Sequence, residues 1–310
     1  TDETDGNLRL DVDNAEGPTA VAFSPLGDYV FATMRGNNLA AVYDHLQLLG
    51  GGSKNTIARF PAGKAPVGLI VDPQTNRLWI KNYMSRDLVV HELDGFFTVG
   101  DRTQSITTIP TVASESFDPQ VLLGKQIFYD AGGQRDPNSP ERMSLEGYIS
   151  CASCHIDGGH DGRVFDFTQR GEGLRNTIDL RGRAGMGHGA VHWTGNFDEI
   201  HDFENDIRLH FGGAGFMNDG DFDDTTHPLA NPKTALSSDL DALAAYVASL
   251  DVSHLPQSPW RNADGSMTAE ALAGAVVFQS ENCASCHNPA TGYTDSTGGI
   301  GVGPTLHDVG

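Results

Sequence analysis

Cys151-Ala152-Ser153-Cys154-His155 recurs residue for residue as Cys283-Ala284-Ser285-Cys286-His287. The lead-in repeats too, because Leu123-Gly124-Lys125-Gln126-Ile127-Phe128 aligns with Ala273-Gly274-Ala275-Val276-Val277-Phe278. Two sulfurs a short turn apart can meet the two vinyl groups of a haem, and a histidine directly after the second can swing under the iron. One such run alone also reads as a zinc half-site or a redox Cys-x-x-Cys pair. Duplication behind matching helices decides for haem. The sequence therefore predicts two covalently bound haem c groups, attached at Cys151 and Cys154 and at Cys283 and Cys286, with His155 and His287 as proximal iron ligands. These runs contain every cysteine of the chain, so no structural disulfide is expected. Haem attachment of this kind normally takes place outside the cytoplasm, which points to the periplasm or the cell exterior.

Working outward, Asp118-Pro119 supplies an N-cap and a first-turn proline, and Val121, Leu122, Lys125, Ile127 and Phe128 follow at helical spacing. Residues 130 to 148 form a Gly/Pro/Ser-rich loop before the first motif. A second helix is expected behind the Ser237 cap, with Leu240, Leu243, Ala244, Val247 and Leu250 on one face. Pro256 and Pro259 mark its exit. A third helix runs from about Thr268 into the second motif.

Before residue 112 the pattern is strand and turn. Pro18-Thr-Ala-Val-Ala-Phe-Ser-Pro-Leu-Gly-Asp-Tyr-Val-Phe31 and Pro66-Val-Gly-Leu-Ile-Val-Asp-Pro-Gln-Thr-Asn-Arg-Leu-Trp-Ile80 are two related units. Short apolar or alternating runs are punctuated by Gly, Pro, Asn and Asp, at the roughly 45-residue spacing of propeller blades. This segment resembles seven-bladed propellers of the YVTN type over about two blades, too few to close a ring. The expected fold is a multidomain α + β chain, a partial antiparallel β-propeller followed by two mostly α-helical c-type cytochrome domains. Its boundaries are residues 1–112 for the incomplete propeller, 113–262 for the first cytochrome domain and 263–310 for an incomplete second one. The chain is accordingly expected to be a piece of a longer polypeptide.

Forty-one acidic against twenty basic residues give a formal charge of −21. Such a chain repels nucleic acid and anionic lipid, and any docking partner is expected to be basic. No apolar run is long enough to span a bilayer.

Leu174-Arg175-Asn176-Thr177 followed by His192-Trp193-Thr194-Gly195 resembles the Arg-Asn-Thr-Pro and Trp-Asp-Gly-Arg stretches of bacterial di-haem cytochrome c peroxidases and of the enzyme that matures methylamine dehydrogenase. The resemblance covers residues 118 to 310. It implies that Trp193 relays electrons between the haems and that Asn176 helps hold a calcium ion. Ile178, Thr194 and Asn196 depart from the family pattern. Thr168 stands near the place of the peroxidases' distal histidine, and no glutamate matches the catalytic one, Glu199 and Glu204 being the nearest acids.

His160, His188, His192, His201 and His210, with Met186 and Met217, lie between the motifs. The glycine-rich run 185–192 is flexible enough to fold over a haem face, making Met186, His188 and His192 the candidate distal ligands. For the second haem, His307 is available. Asp219 to Asp224 reads as a solvated loop without the spacing of a calcium site. Three functions remain open. One is electron transfer between the haems and a redox protein partner; another is a peroxidase-like or maturation-type oxidoreductase acting on peroxide or oxygen at an open iron; in the third the propeller part docks a partner while the haems serve it.

Overall fold

The computed structural model describes residues 16–49, 56–102, 106–132, 141–168 and 173–288. It is a mixed α/β chain with two compact units, Thr1–Ser153 with Ile207–Phe216, and Cys154–Asp206 with Met217–Gly310.

In the first unit, β1 (Pro18–Phe23), β2 (Tyr29–Met34), β3 (Leu39–Asp44) and β4 (Ala58–Pro61) form an antiparallel sheet in chain order, with α1 (His45–Leu49) between β3 and β4. A second sheet repeats that order with β5 (Pro66–Asp72), β6 (Arg77–Asn82), β7 (Asp87–Glu92) and β8 (Ile106–Pro110), and α2 (Asp94–Val99) stands before its last strand. These are the two four-stranded meanders expected of blades. β1 and β5 lie side by side. Residues two apart on a strand share a face, so the register puts Phe31, Ala40, Val42, Ala58 and Phe60 on one side of the first sheet. They pack with Leu78 and Ile80 of the second sheet and with Leu93 and Phe96. Each such fully buried large side chain contributes about 1.5–3 kcal/mol. On the far face of the second sheet Ile70, paired with Trp79, is 62% exposed. α3 (Pro119–Phe128) follows, its Asp118 cap accepting from the Gln120 and Val121 amides, and Ile127 and Phe128 are buried.

In the second unit, β9 (Val164–Phe167) and β10 (Gly173–Asn176) form a hairpin. α7 (Ser238–Ser249) starts at the Ser237 hydroxyl and buries Leu240, Leu243, Val247 and also Tyr246, while Ala244 is only half-buried. The acidic run expected as a loop is instead a short helix, α6 (Asp219–Asp224), because the Asn218 side chain accepts from the Asp221 amide and starts the turn. α4 (Cys151–Cys154) and α5 (Phe203–Leu209) cross from one unit to the other along the chain. α8 (Ala269–Ser280), capped by Thr268, leads to the second motif. His307 lies outside the described residues.

Candidate functional site

The first motif is a single helical turn. Ser150 opens it, since the Ser153 amide donates to the Ser150 carbonyl at 3.1 Å and the Ser150 amide donates to Ser153 Oγ at 2.8 Å. A three-residue step on a helix puts Cys151 and Cys154 on one face. None of the four cysteines is in a disulfide. Within the first unit, the β2–β3 hairpin reaches this turn. Asn37 donates through Nδ2 to the Gly132 and Gly147 carbonyls and accepts from the Glu16 amide. The buried Glu16 carboxylate accepts from Ser150 Oγ at 3.4 Å and lies 3.8 Å from the Arg35 guanidinium. Burial raises the Glu16 pKa, with Arg35 and the two serine hydroxyls opposing. Gly36 leaves the room this carboxylate needs, for a Cβ there would overlap Glu16 Oε2.

His155 follows the turn. Its Nδ1 lies 3.2 Å from the Gly159 carbonyl, and the ring also hydrogen-bonds the Ile178 carbonyl. Burial lowers its pKa; the Gly159 and Ile178 carbonyls oppose, and repulsion from the nearby His192 ring lowers it further. The bend back to Gly159 requires Gly158 at φ +77°, where a Cβ would lie 2.9 Å from Leu250 Cδ1.

The glycine-rich run is anchored on the end of α7, with the Gly182 and Ala184 amides donating to the Leu250 carbonyl. Met186 accepts a turn hydrogen bond from the Gly189 amide. His188 is half-buried, and burial, then Arg183, lowers its pKa. His192 sits at φ +63°, a left-handed conformation costly for a bulky side chain. Its ring packs against Phe197 at 4.4 Å and Phe203 at 5.0 Å between centroids. Nδ1 lies 2.7 Å from Asn196 Oδ1 and Nε2 lies 3.7 Å from Asp206 Oδ2. Trp193 is 52% exposed and donates from Nε1 to the Asn176 carbonyl at 2.8 Å. The two residues nominated by resemblance thus meet, but Asn176 offers its backbone and keeps its side chain exposed.

The remaining nominees are otherwise engaged. The buried His201 ring has Nε2 2.9 Å from Asp241 Oδ1, with Glu199 Oε2 3.5 Å from Nδ1. Glu199 accepts from Lys233 and Thr234, and Glu204 accepts from the Met217 amide at 3.0 Å. His160 and His210 are exposed. Among the described residues, no group of three or more His, Cys, Asp or Glu side chains is arranged to hold a metal ion. Sequence reasoning missed Asn196, Asp206 and Lys233. Only the four-residue step from His192 to Asn196 hinted at the first of these, and no spacing signalled the others.

The second motif is also a single turn, with the Cys286 and His287 amides both donating to the Cys283 carbonyl at 3.3 and 2.9 Å. The α8 helix before it buries none of its residues and exposes Leu272, Val276 and Val277 by 56%, 69% and 57%. Among the described residues no helix is long and apolar enough to cross a membrane.

No family model matches the chain. Over 176 residues it is 30% identical to hydrazine synthase subunit gamma of Kuenenia stuttgartiensis, a match covering 51% of this chain and 46% of that protein. The chain therefore spans about half the length of that curated relative. Among solved structures, Kuenenia stuttgartiensis hydrazine synthase overlaps at 19% identity and TM-score 0.25, covering 30% of this chain and 24% of that one. The Pseudomonas aeruginosa periplasmic gluconolactonase PpgL overlaps at 20% identity and TM-score 0.27, covering 33% and 28%. The Myceliophteria thermophila Cps50 (Swd1) β-propeller domain overlaps at 11% identity and TM-score 0.25, covering 30% and 28%. At these scores the overlaps carry no argument, and the blade pattern stands on the strand register alone.

Proposed function

We propose that this chain is a c-type cytochrome whose two haems pass electrons to and from an external redox protein. The observation that carries the reading is the pair of identical motifs, each folded as one helical turn with its cysteines three residues apart. Cys151 and Cys154 would hold one haem and Cys283 and Cys286 the other, with His155 and His287 beneath the irons. When bound, the haems supply one-electron redox chemistry. This chain's own part is to fix the attachment face, to anchor the His155 ring on the Gly159 carbonyl and to offer apolar cover. Leu272 and Val276, uncovered on the helix that leads to Cys283, are side chains of the kind a porphyrin buries. Trp193, held by the Asn176 carbonyl, is the proposed relay between haems, and calcium near Asn176 belongs to the same reading. The net charge of −21 favours a basic partner, and thioether attachment favours a periplasmic or extracellular location. Half-length relationship to a subunit of hydrazine synthase is in keeping with a redox role.

The alternative, peroxide or oxygen activation at an open iron, needs an acid–base group beside the iron. Glu199 and Glu204 are both committed to backbone amides, so the geometry favours the carrier. The test substitutes Cys283 by Ala and measures haem content by pyridine haemochrome. One haem lost and one retained supports the reading; no haem in the parent overturns it.

A further inference from the structure

We propose that the far face of the second sheet, formed by Ile70, Trp79, Leu88, Val90 and Ile109, docks a further four-stranded meander supplied by polypeptide outside residues 1–310. The docked sheet presents aliphatic side chains from its second strand, as β6 presents Leu78 and Ile80. The inference does not depend on the haem reading above.

The two sheets of this chain repeat in register. Pro18 pairs with Met34 and Pro66 with Asn82, and each pairing is followed by a register shift before Ala20 and Gly68. At the other end Tyr29 pairs with Asp44 and Arg77 with Glu92. Position by position, Phe31, Ala40, Val42, Ala58 and Phe60 of the first sheet therefore correspond to Trp79, Leu88, Val90, Thr107 and Ile109 of the second. The exits repeat as well. The Ala62 amide donates to the Asn38 carbonyl and the Thr111 amide to the Arg86 carbonyl, each at 2.8 Å, with Asn38 and Arg86 at φ +55° and +56°.

In the first sheet all five positions are buried, packed with Leu78, Ile80, Leu93 and Phe96 of the second. Their counterparts lack that cover. Ile109 is 39% exposed and Ile70, beside Trp79, is 62% exposed; Trp79 and Leu88 are half-buried, and only Val90 is buried. Charges stand at the two ends of this face, Asp72, Arg77 and Glu92 at one and Lys81 at the other, leaving an apolar middle. A repeat of this kind buries its faces against neighbours, so the contact that fits here is the one the first sheet already makes. A second copy of this chain has no such surface to offer. The side of its first sheet equivalent to Leu78 and Ile80, with Val30, Ala32, Ala41 and Tyr43, is at most 5% exposed, and the near side of its second sheet is taken by its own first.

The experiment adds a synthetic peptide of residues 62–110, which carries Leu78 and Ile80, to the full chain, and follows binding by titration calorimetry and strand content by circular dichroism. The peptide should bind one to one and gain strand signal on mixing. Ile70→Lys with Ile109→Lys in the chain should weaken binding by about tenfold or more, and so should Leu78→Asn with Ile80→Asn in the peptide. Ile70→Lys in the peptide, whose far side stays free, should leave binding unchanged. Because the face meets water, the chain carrying both lysines should melt within about 2 °C of the parent. The inference is overturned if the parent chain does not bind the peptide, or if binding is indifferent to either pair of substitutions. It is also overturned if the lysine variant melts well below the parent, which would mean that the chain covers this face itself. A parent dimer in light scattering that the two lysines dissociate would overturn it too, making a second copy the occupant.

Discussion

Lys233→Met tests how the scaffold behind His192 is held. Lys233 and Asp202 are both fully buried, and Lys233 Nζ lies 2.7 Å from Asp202 Oδ1. The other oxygen, Oδ2, accepts from the Asp198 and Glu199 amides at 3.1 Å each. Asp202 thereby caps the turn at residues 200–202, which leads straight into α5 with Phe203 and Asp206. Burial raises the Asp202 pKa and the Lys233 ammonium works against that shift. Removing the ammonium leaves a buried carboxylate without its counter-charge, a loss of about 3–5 kcal/mol. At about 2–4 °C per kcal/mol for a unit of this size, the transition should drop on the order of 6–20 °C. Thermal unfolding followed by circular dichroism measures this directly. Adding Asp202→Asn should recover most of the loss, because the amide oxygen still accepts one backbone bond and the buried charge is gone. A Lys233→Met variant within about 1 kcal/mol of the parent, or a double variant no better than the single, would refute the reasoning.

Glu16→Gln should flatten part of the pH dependence of stability. The folded chain holds the Glu16 proton above the ordinary value of 4.5, so its contribution is full below that pH and is lost as pH rises through the raised folded value. Denaturant titrations from about pH 4 to 7 should show the parent losing stability relative to the variant as pH rises; a parallel pair of curves would exclude the effect. Gly158→Ala should cost about 1–3 kcal/mol and disturb the His155 to Gly159 bond, because φ +77° and Leu250 both oppose a Cβ. Urea midpoints matching the parent's would contradict that.

The first three strands of each blade sheet, the three capped helices and the two motif turns were legible because each rests on local chemistry, whereas α1, α2 and the β9–β10 hairpin were not read. Alternation and Gly/Asn turns set the blades, and Asp118, Ser237 and Thr268 set the helix starts. The short helix at Asp219 escaped notice because acidic composition masked the Asn218 cap. Much of the candidate site was less legible, since its contacts join residues with no periodic relation. Asp202 meets Lys233 thirty-one residues on, and Asp241 meets His201 from another helix. Asn176 was nominated for its side chain, yet it is its carbonyl that holds Trp193. Side-chain identity can be read from a motif; which backbone carbonyl a ring finds depends on the packed chain.

The central claim is haem attachment at both motifs, and the mass of the intact, denatured protein tests it most directly. Thioether bonds survive denaturation, so the account predicts the polypeptide mass plus two haems, falling to one in a Cys283→Ala, Cys286→Ala double variant. A bare polypeptide mass, or zinc recovered in place of iron, would contradict it.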